Sequence, residues 1–86
     1  MRHLASPQFW ACYAKLPPSV RDLAKKNYAL LKENPYHPSL HFKRVGRYRT
    51  LRVGLRYRAI AVEDGDNMVW FWIGSHAEYD KLVADG

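Results

Sequence analysis

Tyr48–Gly74 reads YRTLRVGLRYRAIAVEDGDNMVWFWIG, and its reading decides the fold. Three runs rich in β-branched and aromatic residues, Tyr48 to Val53, Leu55 to Glu63 and Met68 to Ile73, are parted by Gly54 and by Asp64-Gly65-Asp66-Asn67. Glycine and Asp-Gly at that spacing are hairpin signals, because a tight reversal needs residues that tolerate positive φ. The stretch is therefore a meander of antiparallel strands. Upstream, Leu40 to Val45 followed by Gly46 adds a further strand and turn, for about four strands in all. Polar–apolar alternation fades in the last two runs. Met68 to Ile73 is apolar on both sides, which predicts a central strand with both faces covered. Trp70 and Trp72, two residues apart, are expected on one side of it, as core or partner contacts.

Working outward, the N-terminal third reads as helix. Ser6-Pro7 combines a capping hydroxyl with proline at the first helical position. Phe9, Trp10, Tyr13 and Leu16 then recur at helical spacing until Leu16-Pro17-Pro18 stops them. Ser19 is placed to cap a second helix, with Asp22 in its first turn. Val20, Leu23, Ala24, Asn27, Tyr28 and Leu31 share one face of it, and Asn34-Pro35 ends it. Two helices across a Pro-Pro corner predict an antiparallel helical hairpin. Beyond the strands, Ser75-His76-Ala77-Glu78 fits a capping box, and Tyr79, Leu82 and Val83 give a short last helix an apolar side. Residues 1–86 read as one α+β domain without repeat or linker.

At 86 residues a lone core only just suffices, but 48% hydrophobic and 14% aromatic content supplies one without metal or disulfide. Cys12 is the single cysteine, so neither an internal disulfide nor a thiolate zinc site can be built, which suits a reducing compartment. The opening MRHLAS lacks the apolar run of a signal peptide, and no stretch is long enough for a membrane span. A cytoplasmic protein with no membrane partner is expected. The net charge of +6 favours a polyanion such as nucleic acid, or an acidic protein that masks the charge. Its distribution sharpens the point. Lys43, Arg44, Arg47, Arg49, Arg52, Arg56 and Arg58 lie in one segment with no acidic residue. Arginine suits phosphate oxygens, and the interleaved Tyr48 and Tyr57 can stack on bases.

KLPPSVRD (15–22), ENPYHPSLHFKRV (33–45), LRVGLRYRAIAV (51–62) and WIGSHAEYDKL (72–82), in this order, resemble RelE/ParE superfamily toxins from about Ser6 to Val83. The resemblance implies a bacterial toxin of a type II toxin–antitoxin pair. Its fold would be α+β: a helical hairpin packed on a twisted antiparallel sheet, closed by a short C-terminal helix. Only Arg2 to Ala5 remain for the strand such proteins place before the first helix. RelE-like members cut mRNA on the ribosome without metal or cofactor, by 2′-hydroxyl attack. ParE-like members inhibit DNA gyrase instead and are not nucleases. In either case the implied partner is a cognate antitoxin, with a homodimer or a toxin–antitoxin heterotetramer left open.

Metal-independent RNA cleavage needs a base for the ribose 2′-hydroxyl, cations for the charge that builds on phosphorus, and an acid for the leaving oxygen. By resemblance, Arg58 in "YR" takes the position of the arginine that contacts the scissile phosphate. His76, after "IG", falls where RelE-like toxins carry arginine and YafQ-like toxins histidine. In the first turn of the last helix, the positive end of the dipole favours an uncharged, proton-accepting ring, and free N–H groups there form a natural phosphate seat. Tyr79 is the aromatic that relatives use for stacking or proton transfer, although it also lies on the apolar side of the helix. Lys43, Arg44, Arg49, Arg52, Arg56 and His41 are the expected RNA-phosphate contacts. Asp80 reads as a helix-surface acid without a role, and His3 and His37 as spectators. His41, Asp64 and Asp66 lack metal-ligand spacing, so no metal site is expected.

Overall fold

Ser6 opens the first helix as its spacing predicts: its Oγ accepts from Phe9 N at 3.2 Å, with Pro7 at the first helical position. The computed structural model describes residues 2–85. Within them the elements run β1 (Arg2–Ala5), α1 (Pro7–Ala14), α2 (Pro18–Glu33), β2 (Lys43–Val45), β3 (Tyr48–Val53), β4 (Tyr57–Asp64), β5 (Asn67–Ser75) and α3 (His76–Asp85), with a 3-10 turn at Pro38–Leu40. The sheet order is β1-β5-β4-β3-β2, in which β1 is parallel to β5 and every other pair is antiparallel.

The expected α+β architecture is present, with one addition. Four residues before α1 are enough for a fifth strand. Ser6 N donates to the Trp70 carbonyl at 3.0 Å, and the Trp70 indole N–H donates to His3 Nδ1 at 3.0 Å. These side-chain and backbone ties hold a short edge strand that hydropathy alone does not announce. The sheet is consequently mixed, and β5 is central, as its two-sided apolar run predicts.

Three local readings need correction. Pro17, not Ser19, caps α2: its carbonyl accepts from Val20 and Arg21 N at 3.0 Å each, and no side-chain cap is made. Leu40, expected to open a strand, instead closes a 3-10 turn that Pro38 starts and His37 caps; His41 leaves it in the left-handed region (φ 46°), and β2 begins only at Lys43. Trp70 and Trp72 point to opposite faces. Ile60 pairs with Trp72 while Ala61 pairs with Trp70, so Phe71 is an extra residue, a β-bulge that breaks the alternation.

The core lies between the helices and one sheet face. Leu51, Val53, Ala59, Ala61, Met68, Trp70 and Ile73 meet Leu16, Leu31 and Leu40, all of them buried. Burying a leucine side chain of this kind contributes about 1.5–3 kcal/mol. Asn27 Nδ2 ties α2 to the sheet by donating to the Arg52 carbonyl at 3.1 Å. α1 rests on β5 instead of lying along α2. The expected hairpin is therefore splayed around an apolar cleft of about 340 Å³ lined by Leu4, Phe9, Trp10, Tyr13 and Tyr28 among others. Gly54, in the β3–β4 turn, has φ +67°, and a Cβ there would fall 2.9 Å from Leu23 Cδ2 on α2. Glycine is required both for the turn and for this close approach.

Candidate catalytic surface

The pleat sorts the basic segment onto two faces. On β3, Arg52 is three residues from Arg49, so the two side chains leave the sheet in opposite directions. Arg49 stands on the helix side with Leu51 and Val53. Its Nη1 donates to Glu63 Oε1 at 3.1 Å, and its guanidinium lies 4.5 Å from the Phe42 ring centroid. Arg44, paired with Arg49 across β2–β3, reaches the same Glu63 oxygen at 2.8 Å. The structure thus gives both arginines a protein partner and does not bring either to His76.

The opposite face carries a different row. Arg52 pairs directly with Arg58 of β4, which pairs with Gly74 of β5. Like charges directly opposite each other destabilise a sheet, and no ion pair among the described residues offsets this one. Arg52 Nε, like Arg49 Nε on the other face, is buried without a hydrogen-bond partner. Burial, then the neighbouring Arg52, lowers the proton affinity of Arg58, while Tyr79 and Asp80 raise it. The guanidinium nevertheless remains a cation. Chemically, a half-buried arginine pair without a carboxylate between its members offers guanidinium N–H donors that suit an oxyanion.

α3 closes one end of this row. Ser75 caps it: Oγ accepts from Glu78 N at 3.2 Å and donates to Glu78 Oε1 at 3.1 Å. His76 N donates to the Arg56 carbonyl at 2.7 Å, which fixes the helix start to the β3–β4 turn. These bonds correct one expectation, because two N–H groups foreseen as a phosphate seat are already engaged. Tyr79 is 7% exposed, yet it packs outside the main core. Its ring centroid lies 6.0 Å from the Arg58 guanidinium and 5.8 Å from the His76 ring. Packing and proximity to the candidate site therefore coincide in Tyr79. His76 Nδ1 is 3.0 Å from Asp80 Oδ2, and its side chain is 43% exposed.

The remaining expected contacts scatter. Lys43 pairs with Thr50, on the face of Arg52, and is exposed. Arg56 is exposed at the turn, and its backbone is the part that touches His76. His41 is exposed beside β2, at the far edge of the sheet, two strand spacings or about 10 Å from β4. No hydrogen bond or ring contact among the described residues joins it to His76 or Arg58. Two features escaped the sequence reading. Asp80 is the nearest polar partner of His76, and its i,i+4 spacing was the available signal. His3, read as a spectator, stacks on Trp70 at 6.1 Å and meets Tyr28 edge-on at 6.3 Å. No group of three or more potential metal ligands occurs among the described residues, and no helix there is long and apolar enough to cross a membrane.

Residues 18–81, which include every group of the arginine row and of the His76 cluster, match the model of the ParE-like toxin domain. The chain belongs to that family. It is a RelE/ParE-superfamily toxin of a toxin–antitoxin system. Solved structures share the fold at low identity. RelE in the RelB–RelE antitoxin–toxin complex of Methanococcus jannaschii is 17% identical, with 92% of this chain and 96% of that chain covered and a TM-score of 0.72. YafQ from E. coli is 20% identical over 92% and 98% of the two chains, with a TM-score of 0.65. Isolated E. coli RelE is 14% identical over 98% and 96%, with a TM-score of 0.63. No curated protein matches the sequence significantly.

Proposed function

We propose that this toxin is a metal-independent endoribonuclease that cuts mRNA, with His76 as general base and Arg52 and Arg58 as the phosphate clamp. The observation that carries this reading is the uncompensated Arg52–Arg58 pair, with the His76 imidazole joined to it through Tyr79. A free imidazole nitrogen accepts the ribose 2′-hydroxyl proton, and the 2′ oxygen attacks the adjacent phosphorus. The two guanidiniums take up the charge on the non-bridging oxygens. The 5′ oxygen leaves with a proton from solvent, giving a cyclic phosphate and a 5′-hydroxyl. Tyr79 holds Arg58 in place. Lys43 and Arg56, exposed near the row, extend the electrostatic track for the RNA strand.

A cognate antitoxin is the partner that neutralises this toxin in this reading, and the archaeal RelE is found in an antitoxin–toxin complex with RelB. The +6 charge suits an acidic, partly disordered segment that folds on the surface. Translating ribosomes as the site of action place the toxin in the cytoplasm. Induced expression followed by mapping of mRNA ends tests the reading. Wild type is expected to produce new 5′ ends and growth arrest, and His76→Ala and Arg58→Ala, still folded and antitoxin-binding, to produce neither. Full toxicity in both variants would overturn it. The match to a ParE-like model favours one second reading, inhibition of DNA gyrase without nuclease activity. Loss of supercoiling with intact mRNA would establish that alternative.

A further inference from the structure

We propose that Asp80 is a positioning residue: it orients the His76 imidazole and fixes the tautomer in which Nε2 is the proton acceptor, a role that rests on the nuclease reading above. His76 and Asp80 lie four residues apart, on one face of α3, with Nδ1 and Oδ2 3.0 Å apart. An ionised carboxylate can only accept a hydrogen bond, so the proton between them belongs to Nδ1. In the neutral ring Nε2 then carries the lone pair, and no hydrogen bond among the described residues engages it. The backbone of His76 is pinned to Arg56, and the Tyr79 ring meets the imidazole edge-on. Asp80 supplies the remaining restraint, the rotation of the ring about its own axis.

The surroundings support a functional reading over a structural one. The side chains of His76 and Asp80 are 43% and 60% exposed, so their pairing adds little to stability. Asp80 also lies within electrostatic reach of Arg58, whose charged form it favours. One carboxylate therefore addresses both members of the proposed chemistry. Asp80 and Tyr79 of α3 meet the imidazole, Arg58 of β4 meets Tyr79 and pairs with Arg52 of β3, and Arg56 of the turn touches the His76 backbone through its carbonyl.

Asp80→Asn replaces an acceptor by a side chain whose amide can donate to Nδ1, which moves the ring proton to Nε2. With a defined mRNA in a reconstituted translation reaction, this variant should lose about 10- to 100-fold in kcat with KM little changed. Asp80→Ala frees the ring without inverting it and should lose less. Asp80→Glu should restore part of the rate. Long-range ¹H–¹⁵N spectra of the imidazole give a readout independent of cleavage: an Nδ1–H ring in wild type and an Nε2–H ring in Asp80→Asn. An Nε2–H ring in wild type, or wild-type kcat in a folded Asp80→Asn, overturns the proposal. Unchanged cleavage by His76→Ala would instead overturn the nuclease reading, while the spectra still judge the pairing.

Discussion

Two arginine pairs cross this sheet side by side, and they are built for different ends. Arg44 and Arg49, on the helix side, share one carboxylate, Glu63, and Arg49 lies against the Phe42 ring. Arg52 and Arg58, on the other side, share no acid; a buried, unpartnered Nε occurs in each pair, on Arg49 and on Arg52, so the carboxylate is what separates them. The chain spaces all four within fifteen residues, yet only one pair is neutralised from within. Positive charge satisfied by the protein is architecture. Positive charge left unsatisfied, and held in place at a cost, is available to a ligand.

The contrast can be broken from either side. The largest effect should come from exchanging the pairs as targets. Arg58→Ala is expected to lower mRNA cleavage by about 100- to 1,000-fold, the loss typical of removing one donor to a developing oxyanion. Its melting temperature should stay within a few degrees of wild type, because a like-charge contact is relieved. Arg49→Ala should do the reverse: cleavage within about threefold of wild type, and stability lower by about 1–2 kcal/mol through lost packing and cation–π contact. For a chain this size, a loss of 1 kcal/mol corresponds to a melting shift of about 4–8 °C. Equal losses of activity in the two variants would dissolve the distinction between the faces.

A finer test uses pH. His3 belongs to the helix side, where it accepts from Trp70. Burial, then the N-terminal amine and Lys32, hold its proton affinity below the ordinary 6.5. Below that pH the unfolded chain binds a proton that the folded chain resists. Stability is therefore full above 6.5, declines as pH falls beneath it, and levels off once the folded ring is also protonated. Denaturant midpoints between pH 7.5 and 5.5 should show the decline, and His3→Gln should flatten it. The smallest effect is reserved for Glu63→Gln, about 0–1 kcal/mol given the exposure of Glu63 and Arg44, with no change in cleavage.

Much of this was legible in the residues, for identifiable reasons. Gly54 and the Asp-Gly turn mark reversals that only a few residues tolerate, so the meander could be read directly. Ser6-Pro7 and Ser75 signal helix starts by local chemistry, and both act as caps. The fifth strand was hidden because it is held by His3, Trp70 and backbone partners more than sixty residues away in sequence. The seven basic residues between Lys43 and Arg58 looked like one surface because sequence lists charges without the pleat that sorts them. His41 suffered the same loss of context, being near the site in sequence pattern but at the other edge of the sheet. The Asp80–His76 pairing was not read because it rests on the i,i+4 geometry of the folded helix and not on any property of Asp80 alone.

The extra residue at Phe71 has a consequence beyond the two tryptophans it separates. Strands count in twos, and a bulge advances the count by one. Every position after it, through Gly74 opposite Arg58 to His76, arrives half a period out of step with the start of β5. Deleting one residue there would leave composition and hydropathy almost untouched, yet it would deliver the imidazole to the wrong side of the sheet. The phase of a single strand, set at Phe71, is what puts Gly74 opposite Arg58 and lets α3 bring Tyr79 against that arginine.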